Sequence, residues 1–321
     1  VRLHASTGLV AGPLLVVLGL SGAALVFRPE LDELLTPSPR LAATATMPSL
    51  DAVRRAALLP HPGAQAYAVR VPADVGRPYR VEIAQGEQQR LDVDVDPATL
   101  HVVSSRAPER SALAAVYALH AAFHGGRLGA LLVALLGLWL VVEGISGLWL
   151  YGPSVTPRAG ARRHRSSRSV HRVLGAASLL AGVLLGLTGA FLGLGSALVP
   201  ASATAAASMP AGLEHLDAVV ARVMGVSPGA QIAAIRAEPL GVVRVDLRDA
   251  ATIRIDGTTG VVTVSGTTPS AAWDVIRRLH AGDFPGRFVR VVYAAIGLAL
   301  AVLAMTGFVI AARRQSSKVL T

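Results

Sequence analysis

The stretch "VHRVLGAASLLAGVLLGLTGA", residues 170 to 190, decides how the chain is organised. A histidine stands at the mouth of an apolar run that closes on Leu-Thr-Gly-Ala. Residues 3 to 23, "LHASTGLVAGPLLVVLGLSGA", carry the same pattern. Shifted by 167, His4 falls on His171, Gly8 on Gly175, Gly19 on Gly186, Ser21 on Thr188, Gly22 on Gly189 and Ala23 on Ala190. Nine of the twenty-two positions from His4 to Leu25 are identical. Under a shift of 160, "LHAAFHGGR" at 119–127 falls on "LHAGDFPGR" at 279–287, so His120 meets His280 and Arg127 meets Arg287. Gly137, Ser146 and Gly147 then fall on Gly297, Thr306 and Gly307. The intervening segments match too, since Leu50 to Val53 and Pro62 to Gln65 recur at Leu216 to Val219 and Pro228 to Gln231. Self-similarity at a fixed offset is the mark of an internal repeat. The expected unit is span, outer segment, span, used twice in parallel.

Hydropathy defines the spans. No charge occurs from Ala5 to Phe27, from Val173 to Leu213 or from Val291 to Ala312, and Leu128 to Tyr151 contains only Glu143. A hydrocarbon core takes roughly 20 helical residues to cross, so four transmembrane helices are expected. With 52% hydrophobic and 16% charged residues, the chain is too apolar for an ordinary soluble domain and too charged to be all membrane.

The distribution of charge sets the expected orientation. Residues 28–110 hold ten Arg against eleven acids, and residues 196–283 seven Arg against eight acids. By contrast, Arg158, Arg162, Arg163, Arg165, Arg168 and Arg172 crowd one linker that contains no acid. The positive-inside rule places that linker and both termini in the cytoplasm and both long segments outside. Between two spans, the basic linker is read as a topology signal and not as a nucleic-acid site.

The absence of Cys excludes disulfides, iron–sulfur clusters and covalent haem attachment. No P-loop or G-x-G-x-x-G follows a strand, so no nucleotide pocket is expected. In the outer segments Leu50 to Leu59 and Leu213 to Met224 have helical spacing, whereas "AYAVRVP", "YRVEIA" and "RLDVDVD" alternate as half-buried strands do. Asp92, Asp94 and Asp96 resemble the start of a calcium loop without its glycine or distal glutamate. They are therefore expected on the solvent face of a strand.

The stretch "HASTGLVAGPLLVVLGLSGAALVFRPELDELL" at 4–35, the "LHxxxxxGR" stretches before the second and fourth spans, and the paired helix-plus-strand segments resemble the PepSY-associated transmembrane family. The resemblance covers nearly the whole chain and extends to haem-containing inner-membrane ferric-siderophore reductases. It implies an α-helical membrane protein with α+β extramembrane domains, built as two repeats of helix, PepSY-like domain and helix. The implied boundaries are transmembrane helix 1 at 1–27 and a periplasmic domain at 28–110, then an interfacial helix with transmembrane helix 2 at 111–151. A cytoplasmic linker at 152–170 leads to transmembrane helix 3 at 171–195 and a second periplasmic domain at 196–268. An interfacial helix with transmembrane helix 4 at 269–312 and a cytoplasmic tail at 313–321 complete the plan.

Carried over by position, the resemblance implicates His4, His171, His120 and His280 as ligands of b-type haem. It also implies a bacterial inner-membrane location, contact with lipid, a ferric siderophore or other ferric chelate as acceptor, and a cytoplasmic electron donor of unidentified kind. Topology alone restricts the pairing, because His4 and His171 start outward-going helices while His120 and His280 precede inward-going ones. Only the pairs His4 with His171 and His120 with His280 share a depth, which gives two haems, one near each surface. Arg127 and Arg287 suit haem propionates or ordinary snorkelling to the interface. His124, one turn after His120, is an alternative ligand, and Glu143 is a candidate for contact with a ligand. Gly22, Gly147, Gly189 and Gly307 are read as helix-packing positions that equally leave room for a flat macrocycle. Competing readings are histidines that merely cap helices or sit among headgroups, a non-catalytic sensor or peptidase-regulating protein, and a transporter component using Glu143.

Overall fold

The structure is a computed structural model that describes residues 2–37, 39–42, 47–86, 89–151, 167–198, 213–238, 241–249, 251–257, 259–265, 272–284 and 286–319. The linker arginines Arg158, Arg162, Arg163 and Arg165 lie outside the described residues. The chain divides into two compact units, one made of 1–32, 112–199 and 270–321 and the other of 33–111 and 200–269.

The first unit is helical. α1 (Arg2–Leu25) is followed by the short α2 (Arg28–Leu35), of which residues 33–35 are counted in the second unit, and α4 (Ala112–Ala122) leads into α5 (Gly126–Tyr151). α6 (Ser167–Leu198), α8 (Ala272–Ala281) and α9 (Arg287–Val319) complete it. Four helices among the described residues are long and apolar enough to cross a membrane: His4–Leu25, Gly126–Leu150, Ser167–Leu198 and Arg287–Arg313. The chain is a multi-pass membrane protein with an extramembrane sheet domain. α6 starts four residues before the expected boundary, and α9 runs on to Val319, into the stretch expected to be a tail.

Small residues set the helix contacts. A Cβ on Gly19 would lie 2.8 Å from the Gly297 carbonyl, and one on Gly137 would lie 2.6 Å from the Gly186 carbonyl. Backbones therefore touch where α1 meets α9 and where α5 meets α6, as membrane helices do when no side chain intervenes. Each contact joins helices from different halves of the sequence. At one end Arg290 of α9 pairs with Glu30 of α2.

The second unit is a single eight-stranded sheet. β1 (Gln65–Arg70), β2 (Tyr79–Gln85), β3 (Gln89–Val95) and β4 (Val102–Arg106) come from the first outer segment. β5 (Ile232–Ala237), β6 (Val242–Leu247), β7 (Thr252–Asp256) and β8 (Val262–Ser265) come from the second. The order is β4-β3-β2-β1-β5-β6-β7-β8, with every neighbouring pair antiparallel. The segments expected as separate domains thus join at the β1–β5 edge, where Val69 faces Ile235, and share one core. α3 (Leu50–Leu58) and α7 (Leu216–Val226) cover one face, burying Val53, Ala57, Leu216 and Val223 against Val69, Val81, Val93, Ile235, Val245 and Ile253.

Alternation puts charged residues on the other face. There Asp94, expected to be solvated, is 1% exposed. Arg80 Nε donates to its Oδ1 at 2.8 Å, Ser104 Oγ donates to its Oδ2 at 2.9 Å, and Arg106 approaches at 3.8 Å. Asp96 instead closes a turn, accepting from the Ala98 amide at 2.8 Å and the Thr99 hydroxyl at 2.9 Å. Burial, with Glu82 adding to it, pushes the Asp92 carboxyl above the ordinary carboxylate value.

Candidate functional site

The four matched histidines meet in two pairs. The rings of His4 in α1 and His171 in α6 have centroids 6.3 Å apart, with planes crossing at 74°. Those of His120 in α4 and His280 in α8 are 6.0 Å apart and tilted by 43°. Ser21, which touches His120, lies seventeen residues beyond His4 along α1, a rise of about 25 Å at 1.5 Å per residue. The pairs therefore sit at opposite ends of the helical unit.

Each ring is oriented by a hydroxyl from another helix. His4 Nδ1 lies 2.9 Å from Ser146 Oγ, His120 Nδ1 3.0 Å from Ser21 Oγ, His171 Nδ1 3.1 Å from Thr306 Oγ1 and His280 Nδ1 3.0 Å from Thr188 Oγ1. The hydroxyl protons are already committed. Ser21 donates to the Val17 carbonyl at 2.7 Å, Thr188 to Leu184 at 2.7 Å, Thr306 to Val302 at 2.9 Å and Ser146 to Glu143 at 3.1 Å. Back-bonding of this kind is ordinary for Ser and Thr in membrane helices. A hydroxyl whose proton is spent offers only lone pairs, so Nδ1 must be the N–H donor. The unprotonated Nε2 lone pair is then left for a ligand.

The residue after each hydroxyl is glycine, and its missing side chain is filled by the imidazole. A Cβ on Gly22 would lie 2.9 Å from His120 Cε1, one on Gly189 2.9 Å from His280 Cε1, one on Gly307 3.1 Å from His171 Cε1 and one on Gly147 3.5 Å from His4 Cε1. These four glycines, read from the sequence as helix-packing positions, form the floor under the rings. Burial pushes His120 and His280 below the ordinary imidazole value, His280 to about 4 with His120 adding to the effect. Burial thus disfavours the charged form of both rings, and the neutral form is the one that binds a metal.

Of the remaining candidates, only Glu143 touches a ring: its Oε2 lies 2.5 Å from His4 Nδ1. Arg127 Nε donates at 2.8 Å to the Ala197 carbonyl near the end of α6, a helix-capping contact. Arg287 is the exposed first residue of α9. His124 lies in the turn after α4, exposed and with a left-handed backbone at φ 59°.

Two imidazoles on opposite sides of one metal would, through bonds of about 2 Å, place their centroids about 6 Å apart, and both pairs have that separation. Two nitrogens alone do not hold a bare ion. Among the described residues no group of three or more His, Cys, Asp or Glu is arranged to do so. The geometry suits a metal that brings its other ligands with it, as the planar ring of a haem does.

Comparison with known families finds one match over residues 1–314, to the family described as the PepSY-associated TM region. No curated protein matches the chain.

Proposed function

The chain belongs to the PepSY-associated transmembrane family, and from that premise we propose that it is a b-type haem oxidoreductase of the bacterial inner membrane. It is built as two repeats of helix, half-sheet and helix, with cytoplasmic termini and the sheet in the periplasm. His4 and His171 hold one haem near the cytoplasmic surface, and His120 and His280 hold another near the periplasmic surface. The observation that carries this reading is the set of four hydroxyl-locked imidazoles, facing in pairs 6.3 Å and 6.0 Å apart.

A haem held by each pair would supply a one-electron ferric/ferrous couple. The residues contribute order. Ser21, Ser146, Thr188 and Thr306 fix the tautomer, and Gly22, Gly147, Gly189 and Gly307 let each ring sit against a helix backbone. Because each pair offers two imidazoles to one group, a haem held there would have no position open to oxygen and would suit electron transfer. The acceptor is a periplasmic ferric chelate, such as a ferric siderophore. Reduction to Fe(II) weakens the attraction to hard oxygen ligands and loosens the chelate without hydrolysis. A cytoplasmic donor supplies the electrons.

An optical spectrum of the purified full-length chain tests the assignment. The expected result is low-spin haem bands at two haems per chain, with about half lost in His280→Ala and in His171→Ala. A wild-type chain that binds no haem overturns the assignment and moves the sensor reading ahead.

A further inference from the structure

We propose that Glu143 makes the two histidine pairs electronically unequal, holding the group at the His4–His171 end at a lower potential than the one at His120–His280. This inference rests on the haem reading above. Its basis is a contact at one ring that, among the described residues, the other three do not share. His4 Nδ1 faces both Ser146 Oγ at 2.9 Å and the Glu143 carboxylate at 2.5 Å. His171 Nδ1 instead donates to the Leu303 backbone carbonyl at 3.0 Å and meets the Thr306 hydroxyl. Leu303 is the position that matches Glu143 under the 160-residue shift. One half of the chain offers a carboxylate where the other offers a neutral carbonyl.

The carboxylate is held in place for this contact. Glu143 and Ser146 are three apart in α5, and His4 and Thr7 are three apart in α1, so each pair shares a helix face. Thr7 Oγ1 donates to Glu143 Oε1 while Oε2 faces His4. The Glu143 side chain is only 14% exposed, and in such surroundings a hydrogen bond to a charged acceptor is strong. An imidazole that donates Nδ1–H to a carboxylate carries more negative charge and is the more basic ligand. A more basic axial ligand stabilises ferric over ferrous iron and lowers the potential. Downhill electron flow then runs from the His4–His171 end to the His120–His280 end. Glu143 acts through His4 and is a positioning residue.

The test is a spectroelectrochemical titration of the full-length chain purified in detergent, comparing wild type, Glu143→Gln and Thr7→Val. His4→Ala identifies which wave belongs to the His4–His171 end. Wild type is expected to titrate in two waves, with the lower one at that end. In Glu143→Gln the reduced-to-oxidised ratio of the lower wave, read at a fixed potential, should rise at least tenfold, which is 59 mV for one electron. The higher wave should stay in place. Thr7→Val removes the hydroxyl that holds the carboxylate against His4, so that contact loosens and the same wave should move in the same direction by a smaller amount. It also carries the test if Glu143→Gln does not fold. Unmoved waves, equal movement of both, or a higher potential at the His4–His171 end overturns the inference while leaving the haem reading intact. A wild-type chain without haem bands overturns that reading, and this inference with it.

Discussion

Asp51 and Asp217 cap each other's helices. Asp51 accepts from the Leu216 amide at 3.0 Å and the Asp217 amide at 3.1 Å at the start of α7. Asp217 accepts from the Leu50 amide at 2.8 Å and the Ser49 hydroxyl at 2.5 Å at the start of α3. Each carboxylate thus satisfies amides left unpaired at the other helix's positive end. The two helices are not equally dependent on this exchange. α3 has its own N-cap, because Ser49 Oγ accepts from the Ala52 amide at 3.1 Å. The N-cap of α7 is His215, whose backbone is left-handed at φ 55° and whose side chain makes no cap bond.

Asp51→Ala should therefore cost more than Asp217→Ala. Loss of a cap costs about 1 kcal/mol, so amide exchange in the first turn of α7 should accelerate roughly fivefold in Asp51→Ala. Exchange at α3 in Asp217→Ala should change less. Hydrogen exchange read by mass spectrometry on the full chain makes the comparison, and equal effects would mean that Ser49 contributes nothing.

Removing a hydroxyl that locks Nδ1 should weaken haem retention without removing a ligand. Thr188→Ala and Ser21→Ala should lower affinity at the His120–His280 end by about 10- to 100-fold, the usual range for partners of metal-binding histidines. Thr188→Ser should restore it. Haem-to-protein ratios after size exclusion, with back-titration of haem, give the answer.

The glycine floor predicts a graded series. Gly189→Ala and Gly22→Ala place a methyl 2.9 Å from an imidazole carbon and should displace that ring, whereas Gly147→Ala at 3.5 Å is an ordinary contact and should be tolerated. Haem spectra of the three variants should show loss at the His120–His280 end for the first two and a near-wild-type spectrum for the third.

Asp92 and Asp94 should respond oppositely to amidation. Burial raises the Asp92 value in the folded chain, so the folded state holds that proton more tightly than the unfolded one. Its contribution is complete below the ordinary carboxylate value and is lost as pH rises through the raised one. Asp92→Asn should accordingly slow exchange in β3 at neutral pH. Asp94→Asn removes the buried charge that Arg80 and Arg106 face, and breaking a buried ion pair is strongly destabilising, so it should speed exchange there. Exchange across a pH series separates the two.

A reporter fused at residue 160 should behave as cytoplasmic and one at residue 205 as external. The reverse labelling pattern would invert the proposed direction of electron flow.

The spans and the four matched histidines were legible in the sequence because uncharged runs and a copied motif are local signals. The Ser/Thr-Gly dipeptides were visible as well, but their role was not. Ser21-Gly22 serves a ring 99 positions away and Ser146-Gly147 one 142 positions away, and periodicity carries no register between distant helices. The same limit explains the sheet. β1 and β5 each look like the first strand of a small domain, and only docking of α3 against α7 brings their free edges together. Asp94 was expected on a solvent face because alternation gives the side of a strand, not what neighbouring arginines do above it.

Where the two halves meet inside each unit, residues repeatedly face their own counterparts. Asp51 serves the helix that begins at Asp217, β1 runs against β5, and His4 and His120 stand opposite His171 and His280. Such self-complementary contacts are those of an isologous interface, which two copies of a half-length chain can form on their own. A homodimer of that kind necessarily repeats every side chain, so a carboxylate beside one His4 would stand beside both. Covalent fusion removes that obligation. It allows Glu143 in one half and Leu303 in the other, and so gives a nearly two-fold framework an electrical polarity that no symmetric assembly can encode.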